Sequence, residues 1–581
     1  MTVAPVLVAR DVHKSFVRET GETVHALDGV SLEAREGTLT ALVGPDGAGK
    51  TTFLRLAAGL MDPDAGSVTV LGIDTTEDPH QIQSRIAYMP QRFGLYDDLT
   101  VQENLDLYAD LHGVPKEERR ERYPRLMEMT ALGAFTKRLA GQLSGGMKQK
   151  LGLSCTLVGS PELLLLDEPT VGVDPLSRRE LWQILEQLVA DGLAVLMSTS
   201  LLDEAERCEH VVVLDHGRVL AQGSPATVSE LAAGRVFRVA PPAGATAHGF
   251  QARLLGKPGV LDAVPEGGRV RVVRTESGAS LEGAEPTKPR FEDGFMVLLH
   301  RSAEPVRAAV PIAPTAPPVQ GAPEAVIVAV RDLVRRFGKF TAVDHVGFDV
   351  RRGEIFGLLG PNGAGKTTTF RMLCGLLAPT SGTLQVAGAN LQHARAQARQ
   401  KIGYVAQKFS LYGQLSVTEN LEFFASAYGL RGARRRDRIK WALDQFELGP
   451  LAGLESAQLP GGFKQRLAIA AALMHEPEIL FLDEPTSGQD PLARREFWRR
   501  INALAEGGVT VIVTTHFMEE AEYCDRIVIL DQGRVLAHGT PAEVRRRAHP
   551  QAGHEPTMED AFVAIVEEGR SAARDRSGEA A

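Results

Sequence analysis

"GPDGAGKTT" occupies Gly44–Thr52, and "GPNGAGKTT" occupies Gly360–Thr368, 316 residues further on. Each fits the spacing G-x-x-x-x-G-K-[ST]. Each follows an apolar run ("LTALV", "IFGLL") and leads into a helix-forming one ("FLRLAAGL", "TFRMLCGL"). Strand, glycine loop and helix in that order make a phosphate-binding loop. The glycines let the backbone turn tightly, and its amides cradle phosphate oxygens with the helix N-terminus. The first loop offers Gly44, Asp46, Gly47, Gly49, Lys50, Thr51 and Thr52 for a nucleotide; the second offers Gly360, Asn362, Gly363, Gly365, Lys366, Thr367 and Thr368. Lys50 and Lys366 are placed to reach the β- and γ-phosphates, and Thr51 and Thr367 to ligate Mg²⁺.

The loops belong to a longer repeat. "QRFGLYDDLTVQENL" at Gln91–Leu105 returns as "QKFSLYGQLSVTENL" at Gln407–Leu421. "LLLLDEPTVGVDP" at Leu163–Pro175 returns as "ILFLDEPTSGQDP" at Ile479–Pro491, at the same offset. A period this long means two whole α/β domains rather than a solenoid. The apolar runs ending in Asp–Glu read as buried strands with carboxylates at their exits. Asp167 and Asp483 are candidates to hold Mg²⁺, and Glu168 and Glu484 to orient or deprotonate an attacking water.

The bulk numbers narrow the classes. A net charge of −9 over 581 residues gives no global basic surface, so no nucleic-acid partner is expected. The four cysteines are scattered and form no CxxC pair, which argues against a disulfide scaffold or metal cluster. No run approaches about 18 uncharged apolar residues, so no membrane span is expected. The start meets a charge too early for a signal peptide.

"PRFEDGFMVLL" at Pro289–Leu299 resembles "PTMEDAFVAIV" at Pro556–Val566 at a shorter offset, leaving 49 extra residues in the first copy. Within them, "GRVFRVAP" and "GGRVRVVRT" alternate as short strands do. The expected layout is a first domain at 1–233, a small accessory α/β subdomain at 234–300 and a Pro/Ala-rich linker at 301–325. A second domain at 326–545, a tail helix within 546–568 and a disordered end at 569–581 follow. Six prolines argue against a helix in the linker.

With these motifs in place, the chain resembles the ATP-binding-cassette ATPases. The resemblance implies two P-loop domains packed head to tail. Each has a RecA-like α/β core, an antiparallel β subdomain and a helical signature subdomain. "LSGGMKQK" matches the family signature, so Ser144, Gly145 and Gly146 are expected to cap nucleotide held by the opposite domain. Their counterparts are Pro460, Gly461 and Gly462. Gln91 and Gln407 match the glutamine loop, and Asp174 and Asp490 the aspartate loop at the domain interface. Phe16 in "HKSFVR" and Phe337 in "VRRFGK" sit where the family stacks adenine, a core role being the rival reading. His516, ending "VTVIVTT", matches the histidine that bonds the γ-phosphate beside the catalytic glutamate. Register puts Ser200 in that place in the first copy.

Sorted by shared site, the departures converge. The second domain's site joins Lys366, Thr367, Gln407, Asp483, Glu484 and His516 to the Ser144 lid, with every position matched. The first domain's site has Asp46 for asparagine, Ser200 for histidine and Pro460 in its lid. Serine is shorter than histidine, and proline brings neither hydroxyl nor N–H. The expectation is that the second site hydrolyses ATP and the first mainly holds it, although Glu168 is retained.

More narrowly, "FGLYDDLTVQENL", "FSLYGQLSVTENL", "EAEYCDRI" and the "EDGF" and "EDAF" tails resemble ATPases of bacterial ABC-2-type exporters in the multidrug and Na⁺ efflux branch. This implies two separate transmembrane permeases as partners, in some members a periplasmic adaptor reached indirectly, and a place on the cytoplasmic face of the inner membrane. Phe93, Leu95, Tyr96, Phe409, Leu411 and Tyr412 are candidates for the permease-facing surface, with internal packing as the rival. A tandem importer ATPase and a soluble cassette-type translation factor are the alternatives. The Pro/Ala linker and acidic balance disfavour the second.

Overall fold

The computed structural model describes residues 4–578 except 18–20, 22, 92–93, 276–282, 303–324, 392–393, 395–397, 408–409 and 549–555. In the first half the strand Leu39–Val43 is buried at every position, as apolar strands covered on both faces are. It lies at the centre of a six-stranded sheet. Ala194–Thr199, Leu163–Asp167 and Ile86–Met89 follow on one side, and His210–Asp215 and Arg218–Gly223 on the other. All neighbours are parallel except the last pair. The second half repeats this around Ile355–Leu359, flanked by Thr510–Thr515 and Arg526–Asp531. Each phosphate loop therefore leaves a central strand near the ends of the strands bearing the acids, in the crevice where parallel sheets bind ligands.

Pro5–Val17, Thr23–Arg35, Ala65–Val70 and Ile73–Asp74 form an antiparallel sheet in the first half. One core spans both sheets through Leu7, Val30, Phe53 and Leu196. Helices Val101–Leu111, Lys116–Thr130 and Gly145–Leu157 make the helical part; Val417–Ala427, Gly432–Gln445 and Gly461–Ala472 are their counterparts. Capping boxes at Thr100/Glu103 and Ser416/Glu419 fix where the first helix of each set begins. The three-part build implied by the family resemblance is present in both halves.

The extra segment folds as an antiparallel sheet in the order Val260–Glu266, Arg269–Arg274, Val236–Val239, Ala284–Pro286, with helix Ala247–Leu255 packed on it. Helix Phe291–Ser302 follows. It runs two residues into the stretch expected as linker, because Ser302 Oγ donates to Asp215 and to the Leu299 carbonyl. The rest of that linker, except Ala325, lies outside the described residues. The C-terminal end corrects a second expectation. The helix there is Met558–Gly578, so helix replaces disorder across most of 569–581. Arg570 pairs with Asp531 at 2.8 Å, a tertiary contact that fastens the continuation.

Both C-terminal pieces reach across to the opposite half. Arg495 pairs with Asp262 at 3.0 Å and Glu292 at 2.5 Å, and Gly267 N donates to Glu522 at 2.9 Å. Reciprocally, Arg178 of the first domain pairs with Glu559 of the tail helix. Among the described residues no helix is long and apolar enough to cross a membrane.

Candidate functional site

Each phosphate loop turns into its helix through a left-handed glycine, Gly49 at φ 103° and Gly365 at φ 96°. A Cβ there would sit 2.4 Å from the Ala26 carbonyl oxygen or 2.5 Å from that of Ala342, so only glycine fits. Helices Lys50–Ala57 and Lys366–Leu373 carry no side-chain cap, which leaves their first amides for phosphate oxygens. Lys50 Nζ donates to the carbonyls of Gly44 (2.7 Å) and Pro45 (3.1 Å) and lies 3.6 Å from Glu168. Lys366 repeats this with Gly360 (2.6 Å), Pro361 (3.2 Å) and, at 3.8 Å, Glu484.

The two glutamates leave their strands at φ 48° (Glu168) and 45° (Glu484). A non-glycine residue held there costs about 1–3 kcal/mol, so the surroundings must fix it. They do so identically. Glu168 N donates to the carbonyl and hydroxyl of Ser198 (3.1 and 2.9 Å), and Glu484 N to those of Thr514 (3.1 and 2.9 Å). Each hydroxyl then donates to the neighbouring aspartate at 2.6 Å, Ser198 to Asp167 and Thr514 to Asp483. Sequence reading missed this pair. The available signal was a hydroxyl residue at the end of each strand, in register with the acid opposite. Thr514→Val removes both bonds at nearly constant shape. It is expected to lower kcat about 10- to 100-fold while leaving the KM for ATP nearly unchanged. Steady-state ATPase kinetics check this, and an unchanged kcat contradicts it.

Thr51 Oγ1 lies 3.0 Å from Asp167. A hydroxyl beside a carboxylate suits Mg²⁺, which takes one or two protein oxygens and completes its shell with water and substrate phosphate. Among the described residues no cluster of three or more His, Cys, Asp or Glu could hold a metal alone. The Thr51–Asp167 pair thus fits a metal that arrives with nucleotide.

The surroundings of the two glutamates differ. Glu484 accepts from Gln407 at 2.8 Å and lies 3.4 Å from His516 Nδ1. His516 is only 3% exposed, and neither ring nitrogen has a hydrogen-bond partner among the described residues. Glu168 accepts from Gln91 at 3.2 Å, and buried Ser200 stands in the register of the histidine. Burial favours the neutral form of Glu484, but His516, Lys366 and Gln407 outweigh it and hold the carboxyl below its usual range. At Glu168 burial prevails over Lys50, with Asp46 and Asp167 adding to it, and the carboxyl is pushed up.

The lids differ as well. Ser144 caps helix Gly145–Leu157, accepting from Met147 N at 3.3 Å. A Cβ on Gly145 would lie 3.4 Å from Asn362 Nδ2, and one on Gly146 2.4 Å from Ser177. Asn362 Nδ2 donates to the Gly172 carbonyl at 3.4 Å, so the second loop meets the first domain's signature and aspartate-loop region. Pro460 sits at the cap position of its helix, one residue before the first helical place that favours proline, and supplies no side-chain bond. Among the described residues nothing lies within 4 Å of a Cβ placed on Gly461 or Gly462. Across that interface Asp46 N donates to Asp490 at 3.4 Å. Desolvation and then the Asp490 charge raise the Asp46 carboxyl, a conflict that neutral Asn362 avoids. Asp174 accepts with both carboxylate oxygens from Ser177 of its own helix.

Phe16 and Phe337 are exposed by 42% and 47%, with Lys14 and Arg335 over their rings, so neither is a core phenylalanine. Tyr96 and Tyr412 are exposed, whereas Leu95 and Leu411 pack against the helical cores. Phe93 and Phe409 lie outside the described residues.

Paired phosphate loops, paired Asp–Glu strand exits and a signature helix facing the opposite loop define a tandem ATP-binding cassette. The chain belongs to the ABC transporter family, which it matches over residues 27–171 and 343–487, and it is an ATP-hydrolysing ABC ATPase subunit. It is 51% identical over 540 residues to the probable multidrug ABC transporter ATP-binding protein YbhF of Escherichia coli (strain K12), covering 91% of this chain and 93% of that one. The Nod factor export ATP-binding protein I of Ralstonia nicotianae is 44% identical over 229 residues, covering 39% of this chain and 71% of its own. The linearmycin resistance ATP-binding protein LnrL of Bacillus subtilis is 43% identical over 217 residues, covering 37% and 70%.

Proposed function

We propose that the chain drives a bacterial exporter from the cytoplasmic face of the inner membrane, docked on two ABC-2-type permease subunits. One of its ATP sites turns over and the other holds nucleotide. The observation that carries the asymmetry is the company of the two glutamates among the described residues: Glu484 has Gln407, Lys366 and His516, whereas Glu168 has Gln91 and Lys50.

At the second site Lys366 and the loop amides hold the phosphates, and Glu484 takes a proton from the attacking water. His516 donates from its free nitrogen to the γ-phosphate, and the Ser144–Gly146 lid closes from the other domain. Thr367 and Asp483 would hold Mg²⁺, which supplies charge neutralisation to the phosphates when bound; Thr51 and Asp167 would do so at the first site. There the histidine and the signature hydroxyl are both missing. A single donor to developing negative charge is worth about 2.7–4 kcal/mol, so losing two slows hydrolysis while the loop still binds. Closure on two ATPs and reopening after phosphate release then follow from differential affinity for the closed state.

The relatives support the export reading: one is named for Nod factor export, one for linearmycin resistance, and the one that aligns with nearly the whole chain for multidrug transport. Exposed Tyr96 and Tyr412, close after the glutamine loops, offer anchors for a permease. Affinity purification of the tagged chain from membranes holding two ABC-2-type permeases encoded beside it is expected to recover both. Recovery of the chain alone contradicts the assignment.

A further inference from the structure

Among the described residues His516 has no hydrogen bond to fix its ring, so its orientation is left to the Glu484 carboxylate 3.4 Å from Nδ1 and to packing. The packing partner is the next residue. The Phe517 ring lies 4.2 Å from the imidazole, centroid to centroid, tilted by 39°. Phe517 is itself pinned. Its backbone N–H donates to Thr515 Oγ1 at 3.0 Å, and Thr515 donates to buried Glu520 at 2.6 Å. The guanidinium of Arg494 lies over the ring, 4.4 Å from its centroid.

Arg494 stands in the first turn of helix Pro491–Glu506 and donates to the Gln489 carbonyl at 3.3 Å. Asp490, between them, has two jobs. One carboxylate oxygen caps the helix through Ala493 N at 2.9 Å; the other accepts from Asp46 N, in the first domain's phosphate loop, at 3.4 Å. A continuous run of contacts therefore joins the loop of one ATP site to the histidine of the other.

The mirror-image run is broken in three places. Ser177, where Ala493 stands in the second copy, takes both oxygens of Asp174, through its N–H at 3.2 Å and its hydroxyl at 3.0 Å. Leu201 replaces the phenylalanine, and Ser200 replaces the histidine. We infer that Phe517 and Arg494 are positioning residues that aim His516, and that through Asp490 they make this aim depend on nucleotide in the first site. Among the described residues the run from the first loop to the second site's histidine is intact, and its mirror image is not. This relay rests on the assignment of hydrolysis to the second site.

The test uses steady-state ATPase kinetics of the full chain. Phe517→Leu, which installs the first copy's residue, is expected to lower kcat about 10- to 100-fold with the KM for ATP changed by less than about twofold. Phe517→Tyr keeps an aromatic ring and is expected to restore most of the rate. Equal losses in the two variants, or a raised KM with kcat intact, overturn the positioning role. Lys50→Ala, which disables the first loop, is expected to lower kcat in the parent chain but to add nothing in Phe517→Leu; a further loss by the same factor overturns the relay. Glu484→Gln separates the two levels. Turnover surviving in that variant defeats the second-site assignment. Its loss there, with Phe517→Leu at the parental rate, defeats this inference alone.

Discussion

Glu484→Gln is expected to lower kcat by about 10²- to 10⁴-fold, the range a positioned general base contributes. Glu168→Gln is expected to cost far less. The amide is isosteric and can still receive the Gln407 donor that Glu484 accepts at 2.8 Å, so the fold and nucleotide binding should survive. What disappears is the negative charge that His516 and Lys366 favour in this pocket. Among the described residues Glu168 faces no imidazole, and burial pushes its carboxyl up, so its replacement removes a group that lacks the histidine partner of the second site. Single-turnover and steady-state rates of both variants decide the matter. Equal losses would show two working sites.

His516→Ala is expected to cost about 10²- to 10³-fold in kcat, the loss seen when one donor to a developing oxyanion is removed. The imidazole is nearly fully buried, with Nδ1 3.4 Å from Glu484 and Nε2 without a hydrogen-bond partner among the described residues, an arrangement that makes sense if the closing nucleotide completes its bonding. The KM for ATP should change little, because the loop and Lys366 bind the phosphates in ground and transition states alike. Ser200→Ala is the matched control and should leave the rate within about twofold, since a role confined to uniform binding does not move kcat. A large loss at Ser200 would mean that the first site hydrolyses too.

How much of this was legible in the sequence depended on how local each feature is. The loops could be read because a left-handed turn such as that at Gly49 demands glycine at a fixed distance from lysine. The acids could be read because they end apolar runs. The hydroxyls of Ser198 and Thr514 could not, since strands often end in Ser or Thr and their partners lie about thirty residues away in the chain. The Arg494–Phe517–His516 stack is legible only in part. The His–Phe step is written in the chain, but the arginine comes from another element. Helix replaced expected disorder beyond residue 568 because Arg570 finds Asp531 in the folded core, a contact no local propensity encodes. Head-to-tail sorting of the motifs came from family resemblance rather than spacing, and the approach of Gly145 to Asn362 agrees with it.

The crossing of the two C-terminal pieces bears on how the halves can part. Arg495 is gripped by Asp262 and Glu292, and Arg178 by Glu559, around one shared cavity between the halves. Parting these pairs would strip each largely buried arginine of a carboxylate partner, which is unfavourable. The halves are therefore hinged rather than free. Opening of the ATP sandwiches about that fastened edge would keep each lid within reach of its loop. Reclosing becomes an intramolecular event whose rate does not wait on diffusion or on how many copies the cell contains.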